Sequence, residues 1–161
     1  MKRATRQHLV LIAGAIALAA LAGWQWHNDQ QTDPGTLLSS EPASIQRIDL
    51  QLAGAAVEHY AKHDGHWQTL AGAPADNGRL TELTEIAAAN VLSWRPASDF
   101  DPAKIGLNPP IAILTLDGQR LEFGETAVTG PQRYVRSGNR VALVSVRYTP
   151  RPMQSEAKKA Q

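Results

Sequence analysis

Ile111-Ala112-Ile113-Leu114-Thr115-Leu116-Asp117-Gly118 is the stretch whose reading decides the fold. Ile111 to Leu116 is apolar or β-branched on both parities, which predicts a strand covered on both faces. Asp117-Gly118 is a strong hairpin signal, because a two-residue turn needs positive φ at both positions and Asp and Gly tolerate it. The chain must therefore return antiparallel, with Leu121 and Phe123 on one face of the return strand. After a loop over 124–131, Arg133 to Arg136 and Arg140 to Tyr148 flank Ser137-Gly138-Asn139 as a second hairpin. In its second arm Ala142, Val144, Val146 and Tyr148 alternate with Val141, Leu143 and Ser145, which is core-quality strand patterning.

Working toward the N-terminus, Asp101, Pro102 and Gly106 bracket a short helical turn: Asp caps, Pro suits the first position and Gly permits a left-handed exit. Leu107-Asn108-Pro109-Pro110 then imposes an extended entry into the strand. Before it, Asp76 is placed to cap a helix carrying Leu80, Leu83, Ile86, Ala87 and Val91 at helical spacing, with Arg79, Glu82 and Glu85 on its outer face. Trp94-Arg95-Pro96 marks where that helix has ended or become extended. Earlier still, Ile48, Leu50 and Leu52 alternate with Arg47, Asp49 and Gln51, a half-buried strand from Ile45 to Leu52. Turns at Ala53-Gly54 and His63-Asp64-Gly65 extend it through 56–62 and 66–70 into a small meander. Strands in hairpin runs without βαβ alternation predict an α+β domain, in which antiparallel meanders pack with one main amphipathic helix. Ile111, Ile113, Leu114, Leu116, Val144 and Val146 are expected in its core beside Leu83 and Ala87.

The ends carry other signals. Lys2, Arg3 and Arg6 precede a weakly polar to apolar run, Leu9 to Gly23, closed by Trp24-Gln25-Trp26. One reading is a signal peptide, with Ala20-Leu21-Ala22 as a cleavage site of small residues. The other, which the sequence favours, is an uncleaved N-terminal transmembrane helix over 8–26, since that span gives roughly 28 Å of helix against a hydrocarbon core of roughly 30 Å. Trp24 and Trp26 suit the interface, and the basic residues 1–7 belong in the cytoplasm by the positive-inside rule. Residues 27–44, rich in polar residues, Pro and Gly, predict a flexible spacer; 45–148 the globular domain; and 149–161 a disordered tail. The expected place is the bacterial inner membrane, single-pass, with the C-terminal domain in the periplasm and the lipid bilayer engaged through the N-terminal helix.

Composition narrows the chemistry. The formal net charge is only +1, with basic residues crowded at the two ends, so no concentrated basic face is available for nucleic acid. The chain has no cysteine, which excludes disulfides, thiolate catalysis, cysteine zinc sites and a cysteine-linked lipid.

The order of landmarks resembles the bacterial domain of unknown function 4340 family. The resemblance runs over about 45–148: Ile45 to Leu52, Trp67 with Leu70 and Pro74, Ala75-Asp76 opening the helix, and Ile105-Gly106-Leu107-Asn108-Pro109-Pro110. It continues through Leu121-Glu122-Phe123-Gly124, Tyr134-Val135-Arg136 and Val141 to Val146. The resemblance implies a membrane helix followed by an extracytoplasmic α+β domain, with some relatives beside transport or gliding-type membrane components, and no defined catalytic residues. This chain is shorter than many relatives, with one domain unit where they have a longer or doubled region.

Candidate chemistry is sparse. His59, His63 and His66 have offsets of four and three, which would align them for a metal on a helix, but Asp64-Gly65 breaks any helix there and solvated turn histidines are the default. Arg133, Arg136, Arg140 and Arg147 gather on the last hairpin and could receive an acidic partner or lipid head groups, although such charges commonly blunt a sheet edge. Trp67 and Trp94 could line a ligand groove, but indoles at strand ends are usually core. No nucleophile elbow, zinc-protease helix, phosphate loop or dinucleotide turn is present. The expectation is thus a non-catalytic interaction or accessory module, without cofactor, for a membrane-protein partner of a transport-type assembly. The alternative is a periplasmic enzyme or metal-binding protein using the three histidines.

Overall fold

A computed structural model of the chain describes Leu18, Ala19, Leu21 and residues 34–151. Leu18, Ala19 and Leu21 are helical and exposed. Among the described residues no helix is long and apolar enough to cross a membrane, and the expected anchor over 8–26 lies almost wholly outside them. The basic residues 1–7, the start of the spacer and residues 152–161 of the expected tail also lie outside the described residues.

From Pro34 onward the chain forms one mainly antiparallel sheet with one helix. The strands are β1 Arg47–Leu52, β2 Glu58–His63, β3 His66–Thr69, β4 Val91–Pro96, β5 Ala112–Leu116, β6 Gln119–Thr126, β7 Gln132–Ser137 and β8 Arg140–Ser145. They stand in the order β3-β2-β1-β5-β6-β7-β8-β4, so only β4 is far from its sequence neighbours. The turns do what their residues dictate. Asp64 and Asp117 both take φ of 47°, followed by Gly65 and Gly118 at 79° and 86°, the double positive φ of a two-residue hairpin. Asp117 also accepts the Arg47 N–H at 2.8 Å, fastening β1 to the β5–β6 turn.

Helix α1, Asn77–Glu85, begins where the Asp76 side chain accepts the Gly78 and Arg79 N–H groups, and it continues as a 3-10 turn over Ile86–Ala88. Leu80, Leu83, Ile86 and Ala87 are buried against one face of the sheet, with Ile48, Leu50, Leu114, Leu116, Leu121, Phe123, Val135, Ala142 and Val144. A smaller cluster of Ile105, Leu107 and Val141, joined by Phe100 and Tyr134, covers part of the opposite face. The segment that builds it starts as expected, with Asp101 accepting the Ala103 N–H at 3.1 Å and Gly106 at φ 67°.

Five expectations change. Val91 is not on the helix: it opens β4, which pairs with β8 through Val91↔Val144 and Trp94↔Ala142. Burial along β5 alternates, with Ala112, Leu114 and Leu116 buried while Ile113 and Thr115 are half-exposed, because the second cluster covers β6 to β8 and stops short of β5. Val146 leaves the strand for a 3-10 turn over Val146–Tyr148 and is only half-buried. The spacer expected over 27–44 is packed from Pro34 on: Leu37 and Leu38 are buried, and their N–H groups donate to Ala89 O and Ala87 O, both at 2.9 Å. Two adjacent leucines suffice because the chain runs antiparallel to 87–91, where the N–H groups of both find carbonyl partners. The tail expected from 149 begins packed as well, with Pro150 buried and the Thr149 hydroxyl donating to Val146 O.

Candidate functional site

The four arginines of the last hairpin do not share one face. Arg133 and Arg140 have the parity of Val135 and Ala142, whereas Arg136 pairs with Val141 on the other side. Arg133 bridges the β6–β7 bulge, donating to Gly124 O at 2.6 Å and Thr126 Oγ1 at 3.3 Å, and burial lowers its pKa from the ordinary value. Arg136 forms an ion pair with Glu122 Oε2 that lacks hydrogen-bond geometry, while Arg120 Nε donates to Glu122 Oε1 at 2.9 Å. Arg140 lies over the Trp94 ring at 4.3 Å, and Arg147 over Tyr148 at 4.5 Å. Each guanidinium already has a local occupation.

The three histidines do share a face, since His59 and His63 are four apart on β2 and His66 pairs with His63 across the turn. His59 Nδ1 is taken by Asp49 Oδ1 at 2.6 Å, and among the described residues no three metal-binding side chains are grouped to hold an ion. Trp67 is buried core beneath Lys62, and Trp94 is half-buried with its indole N–H donating to Pro34 O at 3.0 Å.

An open groove of about 710 Å³ lies between α1 and residues 147–151, lined by Arg79, Glu82, Glu85, Arg147, Tyr148 and Arg151 among others. Arg79, expected on the outer face of the helix, reaches inward from this groove to Glu58 and Tyr60. Arg79 is only 14 % exposed, because Glu58 occupies a core-parity position on β2 and requires a cation there. Arg79 Nη1 donates to Glu58 Oε2 at 2.9 Å and to the Tyr60 hydroxyl at 3.2 Å, and that hydroxyl donates to Glu58 Oε2 at 2.8 Å. Burial first, then the bond to Glu58, raises the Tyr60 pKa above 10.0, while Arg79 pulls the other way. The signal was legible: Glu58 and Tyr60 have the parity that pairs with Leu50 and Ile48. This set is consumed in pairing itself, which makes it a strut between helix and sheet and leaves no free acid, base or nucleophile.

A second feature appears at the end of the sheet where β1 finishes. In sheet order the segments there are 70–75, 53–57, 107–111, 127–131, 146–151 and 86–90; the first four contain no Asp, Glu, Lys or Arg, while 146–151 carries Arg147 and Arg151. Val57 and Leu70 are 43 % and 80 % exposed and Val128 is fully exposed, among Ala55, Ala56, Ala71, Ala73, Pro74 and Pro109, all exposed. The other end is polar by contrast, with Asp64, Asp117, Asn139 and Asp99 at its turns. The patterning of short uncharged runs was visible in the sequence; that they lie side by side depends on the strand order.

No family model, curated protein or solved structure matches this chain.

Proposed function

We propose that the chain is a non-catalytic interaction or accessory module, tethered through its N-terminal segment to the bacterial inner membrane and placed outside the cytoplasm. The observation that carries this reading is the uncharged row of loops: aliphatic side chains held in water on adjacent loops serve contact with another surface better than they serve the fold. The basic-flanked apolar run before Trp26 supports the tether, and the resemblance to the domain of unknown function 4340 family supports both the tether and a place in a transport-type membrane assembly. Arg79, Glu58, Glu122, Arg136 and Arg133 are bound up in structural pairs, which favours scaffold over chemistry.

Expressed in a bacterium with its own N-terminus, the protein should stay with membranes through high salt and alkaline washing and keep its full-length mass. A soluble periplasmic product beginning near Gly23 would overturn the tether.

A further inference from the structure

The groove beside α1 holds opposite charges apart. Glu82 and Glu85 stand in the last turn of the helix, three residues apart and so on one face, and both are exposed. That turn carries no basic residue, and the carbonyl end of a helix already disfavours carboxylates, so this wall has uncompensated negative charge. Across the groove the exposed Arg147 and Arg151 form a basic wall, with Arg147 stacked on Tyr148. Among the described residues no carboxylate pairs with either arginine and no cation with either glutamate, although all four line the same space of about 710 Å³. The basic wall is anchored independently of these charges: Arg79 Nη2 donates to Arg151 O at 3.4 Å, the Thr149 hydroxyl donates to Val146 O at 2.7 Å, and Pro150 is buried.

An occupant that stabilises both walls carries cations on one side and anions on the other. An extended peptide laid along the groove does this when basic and acidic residues alternate, because its successive side chains point to opposite sides. A uniformly basic or acidic segment is attracted by one wall and repelled by the other. We propose that this groove is a docking site for an extended segment of a partner protein in which basic and acidic residues alternate. Its cations lie against Glu82 and Glu85, and its carboxylates against Arg147 and Arg151. The proposal rests on the interaction-module reading and adds the chemistry of the partner.

Two hexapeptides of equal composition test it on the full-length protein in detergent, one alternating lysine and glutamate, the other with three lysines followed by three glutamates. The alternating peptide should bind about tenfold more tightly, since several exposed ion pairs form together only in that order. Glu82→Lys with Glu85→Lys makes both walls basic and should abolish the preference. Adding Arg147→Glu and Arg151→Glu exchanges the walls and should restore it, because the alternating peptide need only shift by one residue; all four positions are exposed. Equal affinity of the parent for the two peptides, no binding of either, or a quadruple variant that keeps the parental urea midpoint without regaining the preference would overturn the docking site. Cross-linking of the full chain in membranes separates this proposal from the reading beneath it. A neighbouring protein trapped equally by the parent and the double variant would sink the groove alone, whereas no trapped neighbour at all would sink the interaction module and the groove with it.

Discussion

Tyr60 shows how one side chain joins helix to sheet. Its ring lies in the core and its hydroxyl completes the Arg79–Glu58 pair, so removing the oxygen leaves the half-buried carboxylate with one donor fewer. Tyr60→Phe should cost about 1 kcal/mol at neutral pH. Because the folded-state pKa is raised, the stabilising contribution of the protonated phenol is complete below about pH 10 and is lost as pH rises through the folded value. Denaturation of both proteins near neutrality and in strong alkali should therefore show a gap that narrows at high pH; a gap that widens would contradict this assignment. Glu58 stands opposite Leu50 and needs a cation, and which cation serves it depends on how α1 lies over β2, which no local pattern encodes.

Among the elements, β5 and the segment before β1 make the sharpest contrast. Leu114 is fully buried under α1, and Leu114→Ala should cost about 2 to 5 kcal/mol. Leu38, in a stretch whose composition reads as spacer, is 6 % exposed and backbone-bonded to Ala87, so Leu38→Ala should cost about 2 kcal/mol or more. Urea midpoints check both, and a midpoint for Leu38→Ala equal to the parent would return 34–44 to the class of linkers. The helix boundary follows the same logic. Ile86, Ala87 and Val91 fit a helical period, yet the 3-10 turn at Ile86–Ala88 tightens the chain so that Val91 can pair with Val144 on β8. Pairing with a distant strand outweighed the helical spacing, and a β-branched Val suits the strand better than the helix.

At the scale of the molecule, the histidine alternative reduces to a measurement. The three lie on one face of the β2–β3 hairpin, with His59 engaged by Asp49, and the full chain should bind no stoichiometric zinc, behaving like the variant with His59, His63 and His66 all replaced by Ala. Tight binding lost in that variant would restore the metal-binding reading. What the sequence by itself determined is everything whose cause lies within a few residues: the Asp64-Gly65 and Asp117-Gly118 hairpins, the Asp76 cap, the alternation along β1 and β8, and hence an antiparallel sheet with one helix. Those features follow from backbone φ, side-chain reach and the two-residue period, all local quantities. Only the tertiary structure decided that β4 closes the order beside β8, that Leu37 and Leu38 belong to the core, that Arg79 turns inward and that four uncharged loops form one row. Each of these depends on which distant segments meet. That choice is made by the burial of the whole core at once, with many strand partners locally acceptable and only one order burying Leu114, Phe123, Val135 and Val144 together under α1.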